Sequence, residues 1–531
     1  PDAFPPQVLE EARIATQQFD EENIGQRLDL TGEIIVTIDP ADARDFDDAI
    51  SLTRTPEGNW RLGVHIADVA HFLPPGSALD VEAQKRGTSV YLPDRVLPML
   101  PEILSNSLAS LQQGRVRFTK SVFMEYTAEG TFVHAEFANS AIRVTRRFAY
   151  EQVLPIVEGR VSAPREIEDL LQRMHELAMI LRGRRFEAGA LELTMPEVKI
   201  DFDKQGKVSG AHLTGHDESH QIIEEFMLAA NIAVATALSD AKTPFLRRVH
   251  GNPDEAKLRA FAEFVRSLGI PLKKFQSRHA LQKLLDSVKG QPLMHSVNYA
   301  LLRSMKQAEY SSDEDIGHYA LAVDNYCHFT SPIRRYPDLT VHRLIGRMIE
   351  GQRAGRKASK SSKRTADLIA LGRHCSSTER RAAEAERELI KVKLLVYMAE
   401  RIGEEFDAMI TGVQDYGFFC QAIEIPAEGL VHVSTLADDF YYYEDFAHRL
   451  VGRRSGREYR LGQQVRVEVA RVDVDRRELD FRIVGSPRPK GPPPPRPEQP
   501  RSRKRGRHSE PVEARGKKKG FPGKRGKGKR R

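Results

Sequence analysis

The sequence predicts an α+β protein with a large mixed domain, a small all-β barrel and a disordered basic tail. Apolar β-branched runs and helical repeats of apolar residues share the first 400 or so residues. From about Glu404 the pattern changes to short strands separated by glycines, and after Gly485 proline, glycine, lysine and arginine dominate. These changes divide the chain into a lead-in segment (1–30), a mixed domain (31–402), a barrel (403–485) and a tail (486–531).

Local periodicity predicts the elements of the mixed domain in order. A helix is expected at 8–19, strands at 33–38 and 63–67, and a β-meander at 119–146 with a turn at 128–130. Apolar residues at helical spacing predict the later helices. These helices are expected at 167–181, 222–238, 298–305 and 365–401, with an exposed Lys/Ser/Arg-rich loop at 354–364.

The composition is that of a globular chain, with 40% hydrophobic and 29% charged residues. No run of about 18 apolar residues is present, so no transmembrane span is expected. The cysteines Cys327, Cys375 and Cys420 lack CxxC spacing, which argues against a zinc site or a disulfide framework. The start at Pro1 has no initiator Met and no signal-peptide pattern. We therefore expect a cytoplasmic protein whose chain is a fragment or has been processed.

Positive charge is concentrated in the tail. Residues 486–531 contain 18 Lys/Arg and 3 Asp/Glu, a net charge of +15. The whole chain carries +7, so the rest of the chain carries −8. Such a segment buries too little apolar surface to fold, and it attracts phosphate polymers. A purely solubilising tail is the alternative.

Five aspartates within ten residues form the most informative segment, directly after an apolar strand: Asp39, Asp42, Asp45, Asp47 and Asp48. Carboxylates held together repel one another, so a fold that groups them needs a cation. Mg²⁺ prefers oxygen ligands and retains positions for water and phosphate. The segment therefore predicts metal-assisted chemistry at phosphorus.

The same segment has two other interpretations. A calcium loop needs a glycine at position six and a glutamate at position twelve, where this chain has Arg44 and Ile50, so that template fails. A solvated Asp-rich turn remains open on spacing alone.

A second motif covers residues 328–339 and contains the pair Arg334 and Arg335 beside a proline-restricted turn. Guanidinium groups bind phosphate in a bidentate manner and offset charge that develops in a transition state. An arginine pair that bridges surface acids is the more ordinary alternative.

These motifs resemble those of the RNB catalytic domain of the RNase II/RNase R family. Thr-Ile-Asp-x5-Asp-x-Asp-Asp-Ala at 37–49 is similar to the family signature, and the sequence of residues 328–339 is close to the RNase R version of the family's second motif. The resemblance implies that Asp42 belongs to the loop and that Arg334 contacts the scissile phosphate. It implies four Mg²⁺ ligands: Asp39, Asp45, Asp47 and Asp48.

Two further residues follow from the resemblance. Tyr91 matches the tyrosine that packs against the terminal nucleotide, and any base offers a face for such stacking. Glu386 matches a catalytic-centre glutamate, although several glutamates nearby allow a different register. The resemblance thus implies a catalytic set of Asp47, Arg334 and Glu386.

Residues 404–484 resemble an S1 domain, an OB-fold RNA-binding module. The matching segments are Gly-Val-x-x-Tyr-Gly-Phe-Phe at 412–419 and Glu-Gly-Leu-Val-His-Val-Ser at 428–434. By that pattern Tyr416, Phe419 and His432 face RNA, while Phe418 fills the core. Aromatic residues that merely fill a small barrel are the alternative. The run Asp-Asp-Phe-Tyr-Tyr-Tyr at 438–443 has no function that the sequence reveals.

The resemblance as a whole implies a processive 3′→5′ exoribonuclease that uses Mg²⁺ to release nucleoside 5′-monophosphates. The expected partner is single-stranded RNA with a free 3′ end, with structured RNA or the ribosome reached through the tail, and the expected state is a monomer. Family members usually carry cold-shock-type OB folds ahead of this region. A catalytically inactive RNA-binding scaffold and an RNA chaperone are the alternatives.

Overall fold

A computed structural model describes residues 3–193, 195, 197–353, 363–444 and 447–486. Its first part consists mainly of strands, together with three helices and a π-helical turn. In chain order these elements are α1 (Pro6–Gln18), β1 (Leu28–Leu30), β2 (Val36–Asp39), β3 (Asp48–Arg54), β4 (Trp60–Ala67), α2 (Val69–Phe72), α3 (Ala78–Arg86), β5 (Val90–Leu92), β6 (Arg95–Leu97), a π-helical turn (Leu104–Leu108), β7 (Val116–Tyr126), β8 (Phe132–Arg143) and β9 (Arg146–Ala149).

Helices dominate the middle of the chain. In order the elements are α4 (Tyr150–Val157), α5 (Arg165–Glu187), β10 (Glu197–Phe202), β11 (Val208–Thr214), α6 (Glu218–Asp240), β12 (Arg247–Val249), α7 (Glu255–Ser267), α8 (Arg278–Val288), α9 (Met294–Ser304), β13 (Glu309–Ser311), α10 (Tyr336–Arg353) and α11 (Lys363–Ala399). The side chain of Asp217 caps α6 by accepting hydrogen bonds from two backbone amides of its first turn, as N-cap residues do.

A seven-stranded mixed sheet lies at the centre, in the order β1-β8-β7-β4-β3-β2-β9. The outer pairs β1–β8 and β2–β9 are parallel, and the inner pairs are antiparallel. Alternation along β3 sends Ile50 and Leu52 into one hydrophobic core and Ala49 into another. The sheet is therefore covered on both faces, and β2 and β3 are neighbours near one edge.

Helix α6 belongs to the larger core. Among the described helices, it alone is long and apolar enough to cross a membrane. In this structure 56% of its most apolar window is buried within the protein. Phe226, Ala230 and Val234 of α6 pack in the same cluster as the strands of the central sheet.

The C-terminal part is a closed five-stranded barrel with an added sheet. In chain order its elements are β14 (Glu405–Gln414), β15 (Gly417–Ala422), β16 (Glu428–His432), a 3₁₀ turn (Val433–Thr435), β17 (Tyr441–Glu444), β18 (Arg449–Gly452), β19 (Glu458–Arg460), β20 (Gln464–Asp473) and β21 (Glu478–Ile483). The barrel order is β14-β15-β16-β21-β20, and β17, β18 and β19 form a separate antiparallel sheet. This is the OB-fold architecture that the sequence predicted.

Most predicted elements are confirmed, and one is corrected. The strand predicted at 33–38 begins only at Val36, because the amide of Glu33 closes a turn onto the carbonyl of Leu30. The meander predicted at 119–146 is confirmed as the β7–β8 hairpin with its turn at 128–130. Arg146, the last residue of that range, begins β9, which crosses to the far edge and pairs with β2. The predicted loop at 354–364 and the tail at 486–531 lie almost entirely outside the described residues.

Candidate active site

The aspartate segment is a loop between two adjacent strands. Asp39 ends β2 and Asp48 begins β3, and because Val36 pairs with Ile50 in antiparallel register, both aspartates lie at the same end of the pair. The hydroxyl of Ser110 anchors the intervening loop. It accepts the amide of Phe46 over 3.1 Å and donates to the carbonyl of Arg44 over 2.7 Å. The acidic loop therefore has a fixed path.

Asp47 joins this loop to the arginine motif. Its Oδ1 accepts a hydrogen bond from the backbone amide of Ile333 over 2.9 Å, and its Oδ2 lies 3.5 Å from Nε of Arg334. The side chain of Asp47 is buried. Burial raises its pKa well above the usual range, and the Arg334 guanidinium opposes that shift.

Asp39 and Asp48 are held where a negative charge is unfavourable. Burial and the neighbouring Asp48 raise the pKa of Asp39 to about 8, against the lowering effect of Arg147. Burial raises the pKa of Asp48 to about 6, although Arg334 and Arg335 lower it. Oδ2 of Asp39 is buried and, among the described atoms, has no hydrogen-bond partner. A bound cation would favour the ionised carboxylates and satisfy that oxygen.

These residues fit a hydrated divalent cation better than a fully enclosed one. Within the described part of the chain, no three His, Cys, Asp or Glu side chains already stand as a complete set of metal ligands. Mg²⁺ commonly takes one or two carboxylates and completes its shell with water and phosphate. Asp42 is exposed and lies 3.4 Å from Nζ of Lys199, consistent with its predicted place in the loop.

Tyr91 lies beside the same loop. It is the central residue of β5, which forms a short hairpin with β6. Its hydroxyl donates to Oδ2 of Asp45 over 2.8 Å, while 37% of the residue remains exposed. The tyrosine is thus fixed at its polar end and offers ring surface for contact.

The two arginines of the motif have different surroundings. Arg335 makes a bidentate pair with Asp338, with Nε–Oδ2 and Nη2–Oδ1 distances of 2.9 and 2.7 Å. The same Oδ1 accepts the amide of Ser331 over 2.8 Å, so this pair shapes the turn before α10. The side chain of Arg334 is 42% exposed, and its Nη2 donates to Oγ of Ser331. Arg334 is therefore the guanidinium available to a ligand.

Backbone contacts place Arg334 close to the strand of Tyr91. The carbonyl of Arg334 accepts the amide of Ser89 over 2.9 Å and the hydroxyl of Thr88 over 3.1 Å. Val90 begins β5 immediately afterwards. The acidic loop, the tyrosine and the first arginine of the motif are thus brought together from three distant segments.

Glu386 is the exception among the predicted catalytic residues. It lies on an exposed face of α11, where burial and the nearby Glu197 of β10 raise its pKa, with Arg387 lowering it. No hydrogen bond or ion pair between Glu386 and the aspartate loop occurs in the described structure. Its catalytic role stays a prediction.

Tyr416, Phe419 and His432 gather at one end of the barrel. The rings of Tyr416 and Phe419 meet edge to face at 6.3 Å, and His432 pairs across the strands with Gly417. All three residues are half-buried. Gly417 has a φ of +151°, and an added Cβ would lie 2.3 Å from the carbonyl oxygen of Val431, so only glycine fits there.

Phe418 points the opposite way from this group. It is completely buried and stacks on Tyr459 at 4.8 Å. The prediction that Phe418 belongs to the barrel core is confirmed.

Comparison with known families agrees with this arrangement. Residues 27–351 match the RNB domain, and residues 400–483 match the S1 RNA binding domain. The chain belongs to the RNB family. Its two matched regions coincide with the sheet-centred part that holds the aspartates and with the barrel.

Curated RNB-family relatives of this chain carry the name ribonuclease R. Ribonuclease R of Thermotoga maritima is 44% identical over 492 residues, which cover 91% of this chain and 68% of the relative. Ribonuclease R 1 of Lactococcus lactis is 39% identical, covering 91% of this chain and 59% of the relative. Within the RNB family the chain is thus similar to ribonucleases R, and it spans 59–68% of the length of these two relatives.

A solved RNB-family structure shows the same fold. Mycoplasma genitalium RNase R in complex with ribose-methylated single-stranded RNA superposes with a TM-score of 0.82 at 28% identity. The alignment covers 91% of this chain and 76% of that chain.

The sequence did not reveal several residues that support this RNB site. Ser110 holds the aspartate loop, and Arg147 donates from Nη2 to the carbonyls of Pro40 and Ala41, each over 2.9 Å. Neither residue lies in a spaced motif. The doublet at 146–147 after a strand was the one available signal for Arg147, and an isolated serine offers none.

Proposed function

We propose that this chain is a Mg²⁺-dependent 3′→5′ exoribonuclease that releases nucleoside 5′-monophosphates processively from single-stranded RNA. The contact of Asp47 with both Ile333 and Arg334 carries the proposal. This contact brings the acidic loop, which favours a bound cation, close to the guanidinium group of Arg334. RNB-family membership and the S1 barrel supply the substrate class.

In this proposal Asp39, Asp45, Asp47 and Asp48 hold the metal. When bound, Mg²⁺ supplies Lewis-acid polarisation of the phosphoryl oxygen and a water of lowered pKa. The carboxyls of Asp39 and Asp48 have raised pKa values, so they lose their protons as the cation is taken up. The raised pKa values therefore support a site whose carboxylates become fully ionised only when the cation is bound.

Arg334 acts on the phosphate in this mechanism. Its guanidinium is half-exposed beside buried Asp47 and can donate to a phosphoryl oxygen as negative charge grows there. Asp47 and the hydroxyl of Ser331 restrict its orientation. Arg335 positions Arg334, because the pair of Arg335 with Asp338 shapes the turn that carries Arg334.

Tyr91 positions the last nucleotide. Its hydroxyl is held by Asp45, so the ring has a fixed orientation against which the terminal base stacks without regard to sequence. The S1 face with Tyr416, Phe419 and His432 contacts the strand nearer its 5′ side. Glu386 contributes at the catalytic centre once RNA is bound.

A labelled-RNA assay tests the proposal and separates it from its alternatives. A 3′-labelled single-stranded RNA should yield labelled mononucleotide from the first time point, and a 5′-labelled copy should shorten progressively. EDTA should stop both reactions, and Mg²⁺ should restore them. An inactive scaffold would bind both RNAs without cleavage, and a chaperone would alter RNA structure with all labels intact.

A further inference from the structure

The aromatic run at 438–443 leads into β17 of the added sheet of the barrel domain and shares no residue with the S1 face described above. Its residues alternate: Tyr441 and Tyr443 pack against the barrel core, while Phe440 and Tyr442 point outward. Phe440 is 75% exposed, more than any other large hydrophobic residue in the described chain. A single exposed hydrophobic side chain is common on protein surfaces, so the neighbours of Phe440 decide what its ring can bind.

An arginine stands directly beside this ring. Tyr441 pairs with Gly452 in antiparallel register, and the next amide, of Arg453, donates to the carbonyl of Phe440 over 2.9 Å. Phe440 and Arg453 are therefore cross-strand neighbours with side chains on the same outward face. Together with Arg454 they define what we call the Phe440 platform.

The turn that carries the two arginines is held rigidly. Oδ2 of buried Asp439 accepts the amides of Arg454 and Ser455 and the hydroxyl of Ser455, over 2.6–2.8 Å. An added Cβ at Gly452 would lie 2.8 Å from that same oxygen. Because the platform is preorganised, binding there orders little additional backbone.

The arginines of this segment differ in how they are paired with acidic side chains. Arg449 bonds to Glu444 and Glu458, and Arg457 bonds to Asp438. The guanidinium of Arg453, by contrast, has no hydrogen bond or ion pair within the described residues. Arg454 is 77% exposed, and its Nε lies 3.5 Å from Asp439, a carboxylate that already accepts three hydrogen bonds from the turn. Two cationic groups are thus available beside an exposed ring.

We propose that the Phe440 platform binds single-stranded RNA at a point separate from the S1 face of Tyr416, Phe419 and His432. A base would stack on Phe440, and flanking phosphates would contact Arg453 and Arg454. This inference rests on the proposed action on RNA and adds a second contact for a longer strand. Aromatic and arginine residues are also enriched at protein interfaces, but here two exposed guanidinium groups flank a single ring within a domain that matches the S1 RNA binding domain, which favours RNA.

The single tryptophan of the chain makes a direct test possible. Trp60 is fully buried, so Phe440→Trp adds one exposed reporter with its own emission. The full chain is titrated in EDTA with an RNA of about 30 nucleotides, longer than the roughly 4–16 nucleotides that one OB fold covers. Stacking should quench the new emission and shift it. Phe132→Trp, at another exposed phenylalanine on the central sheet, is the matched control and should not respond.

Affinity provides the second measurement. Phe440→Ala should weaken binding of the long RNA about tenfold, since one stacked base contributes roughly that much. Arg453→Ala with Arg454→Ala should also lower the salt slope by about 0.7 for each lost phosphate contact. Arg476→Ala removes an equally exposed arginine from the same barrel domain and should leave both values close to the parent's.

The outcomes separate this inference from the proposed function. If long RNA binds the parent and the Phe440→Trp chain tightly without altering the new emission, the platform is not an RNA site. Unchanged affinity of the Phe440→Ala and double-arginine variants would also exclude RNA from the platform and point to a protein partner. If no RNA binds the parent at all, the proposed function itself fails.

Discussion

The backbone amide of Ile333 donates a hydrogen bond of 2.9 Å to Oδ1 of Asp47, a residue 286 positions earlier in the chain. This contact unites the acidic loop and the arginine motif without involving a side chain of the motif. It also leaves Oδ2 of Asp47 for Arg334 and for a cation. Our first prediction concerns this carboxylate.

Asp47→Asn should abolish hydrolysis and leave RNA binding largely intact. The amide oxygen can still accept the Ile333 hydrogen bond, so the loop keeps its shape while a charged metal ligand is lost. We expect single-turnover cleavage of a single-stranded oligonucleotide to fall by about 100-fold or more. Asp42→Asn, in the exposed part of the same loop, is the matched control and should cleave at the parent rate. Near-parental cleavage by Asp47→Asn would rule out the metal role.

Arg334→Lys should lower kcat more than it weakens binding. Lysine keeps the charge and loses the planar fork, so ground-state attraction survives while transition-state contacts do not. A loss of about 100-fold in kcat is expected, as for removal of one oxyanion donor. Steady-state kinetics checks this, and an unchanged kcat with a raised KM would make Arg334 a substrate-binding residue instead.

Arg335→Ala should act on stability rather than on the phosphate. Asp338 is fully buried, and removing its bidentate partner leaves an unpaired buried carboxylate, a change that costs about 3–5 kcal/mol. The variant should therefore melt at a markedly lower temperature, whereas Arg334→Lys should melt near the parent. Thermal unfolding of both variants distinguishes the two arginines, and equal Tm values would contradict the division of roles.

The stability that Asp39 and Asp48 contribute to the metal-free protein should fall as pH rises from about 4 to about 8. Asp39 and Asp48 have pKa values raised to about 8 and about 6, so the folded state binds more protons than the unfolded chain across this window. Their contribution is fully present below the unfolded pKa and disappears as pH passes the folded values. Buried histidines such as His65 and His342, with pKa values lowered to about 3 and about 4, act in the opposite direction at lower pH. The decline in Tm measured in EDTA should therefore be clearest above the ordinary histidine pKa of about 6.5.

Two controls test the origin of that pH dependence. Asp39→Asn cannot ionise and should flatten the decline, most clearly between pH 6 and pH 8. Mg²⁺ should raise Tm more at pH 8 than at pH 5, because the cation competes with protons for the same oxygens. An identical pH profile in Asp39→Asn would assign the effect to other groups.

The sequence predicted candidate site residues, most of which the structure brings close together, but it did not predict what each residue contacts. The density of aspartates after a strand predicted that they lie close together. The strand that begins at Asp48 and its antiparallel pairing with β2, which bring Asp39 and Asp48 to the same end, were not predicted. The difference between Arg334 and Arg335 was not predictable. It depends on Asp338, which lies one helical turn further on and is fully buried only after α10 has packed.

The errors and omissions share a physical cause, which is that long-range contacts leave no local pattern. The crossing of β9 to the edge beside β2 depends on sheet order, and the anchoring by Ser110 depends on a loop some 65 positions away. Glu386 was placed by family pattern on a helix with several glutamates. In the structure Glu386 lies near Glu197. Glu197 belongs to the β10–β11 hairpin, and no periodicity in the sequence reveals where that hairpin packs.

Tyr91 should contribute through its ring and through its hydroxyl in separable ways. Tyr91→Phe keeps the stacking surface and loses the 2.8 Å hydrogen bond to Asp45, so it should reduce kcat with little change in binding of the 3′ end. Tyr91→Ala should in addition weaken that binding by about 1–3 kcal/mol. Binding of short RNAs in EDTA, set beside single-turnover rates, separates the effects. Equal behaviour of the two variants would show that the ring does not stack.

The last prediction concerns the basic tail, residues 486–531, which carries +15 while the rest of the chain is net negative. A basic segment binds phosphate backbones without reading sequence, and its affinity falls steeply with salt. Deleting the tail should weaken RNA binding at low salt and flatten the plot of log K against log salt. The single-turnover rate on a short, already bound RNA should stay near the parent's, because the aspartates and Arg334 lie elsewhere.

A replacement variant separates capture from mere solubility. Exchanging the 46 tail residues for a neutral Gly/Ser segment of equal length keeps the bulk and removes the charge. If the tail captures RNA, this variant should behave like the deletion in salt-titrated binding to one RNA. If the tail only keeps the protein soluble or contacts another protein, the parent and both variants should give equal slopes. Such a result would leave the S1 barrel and the RNB domain to account for all phosphate contacts, since the rest of the chain is net acidic and has to bind RNA through localised sites.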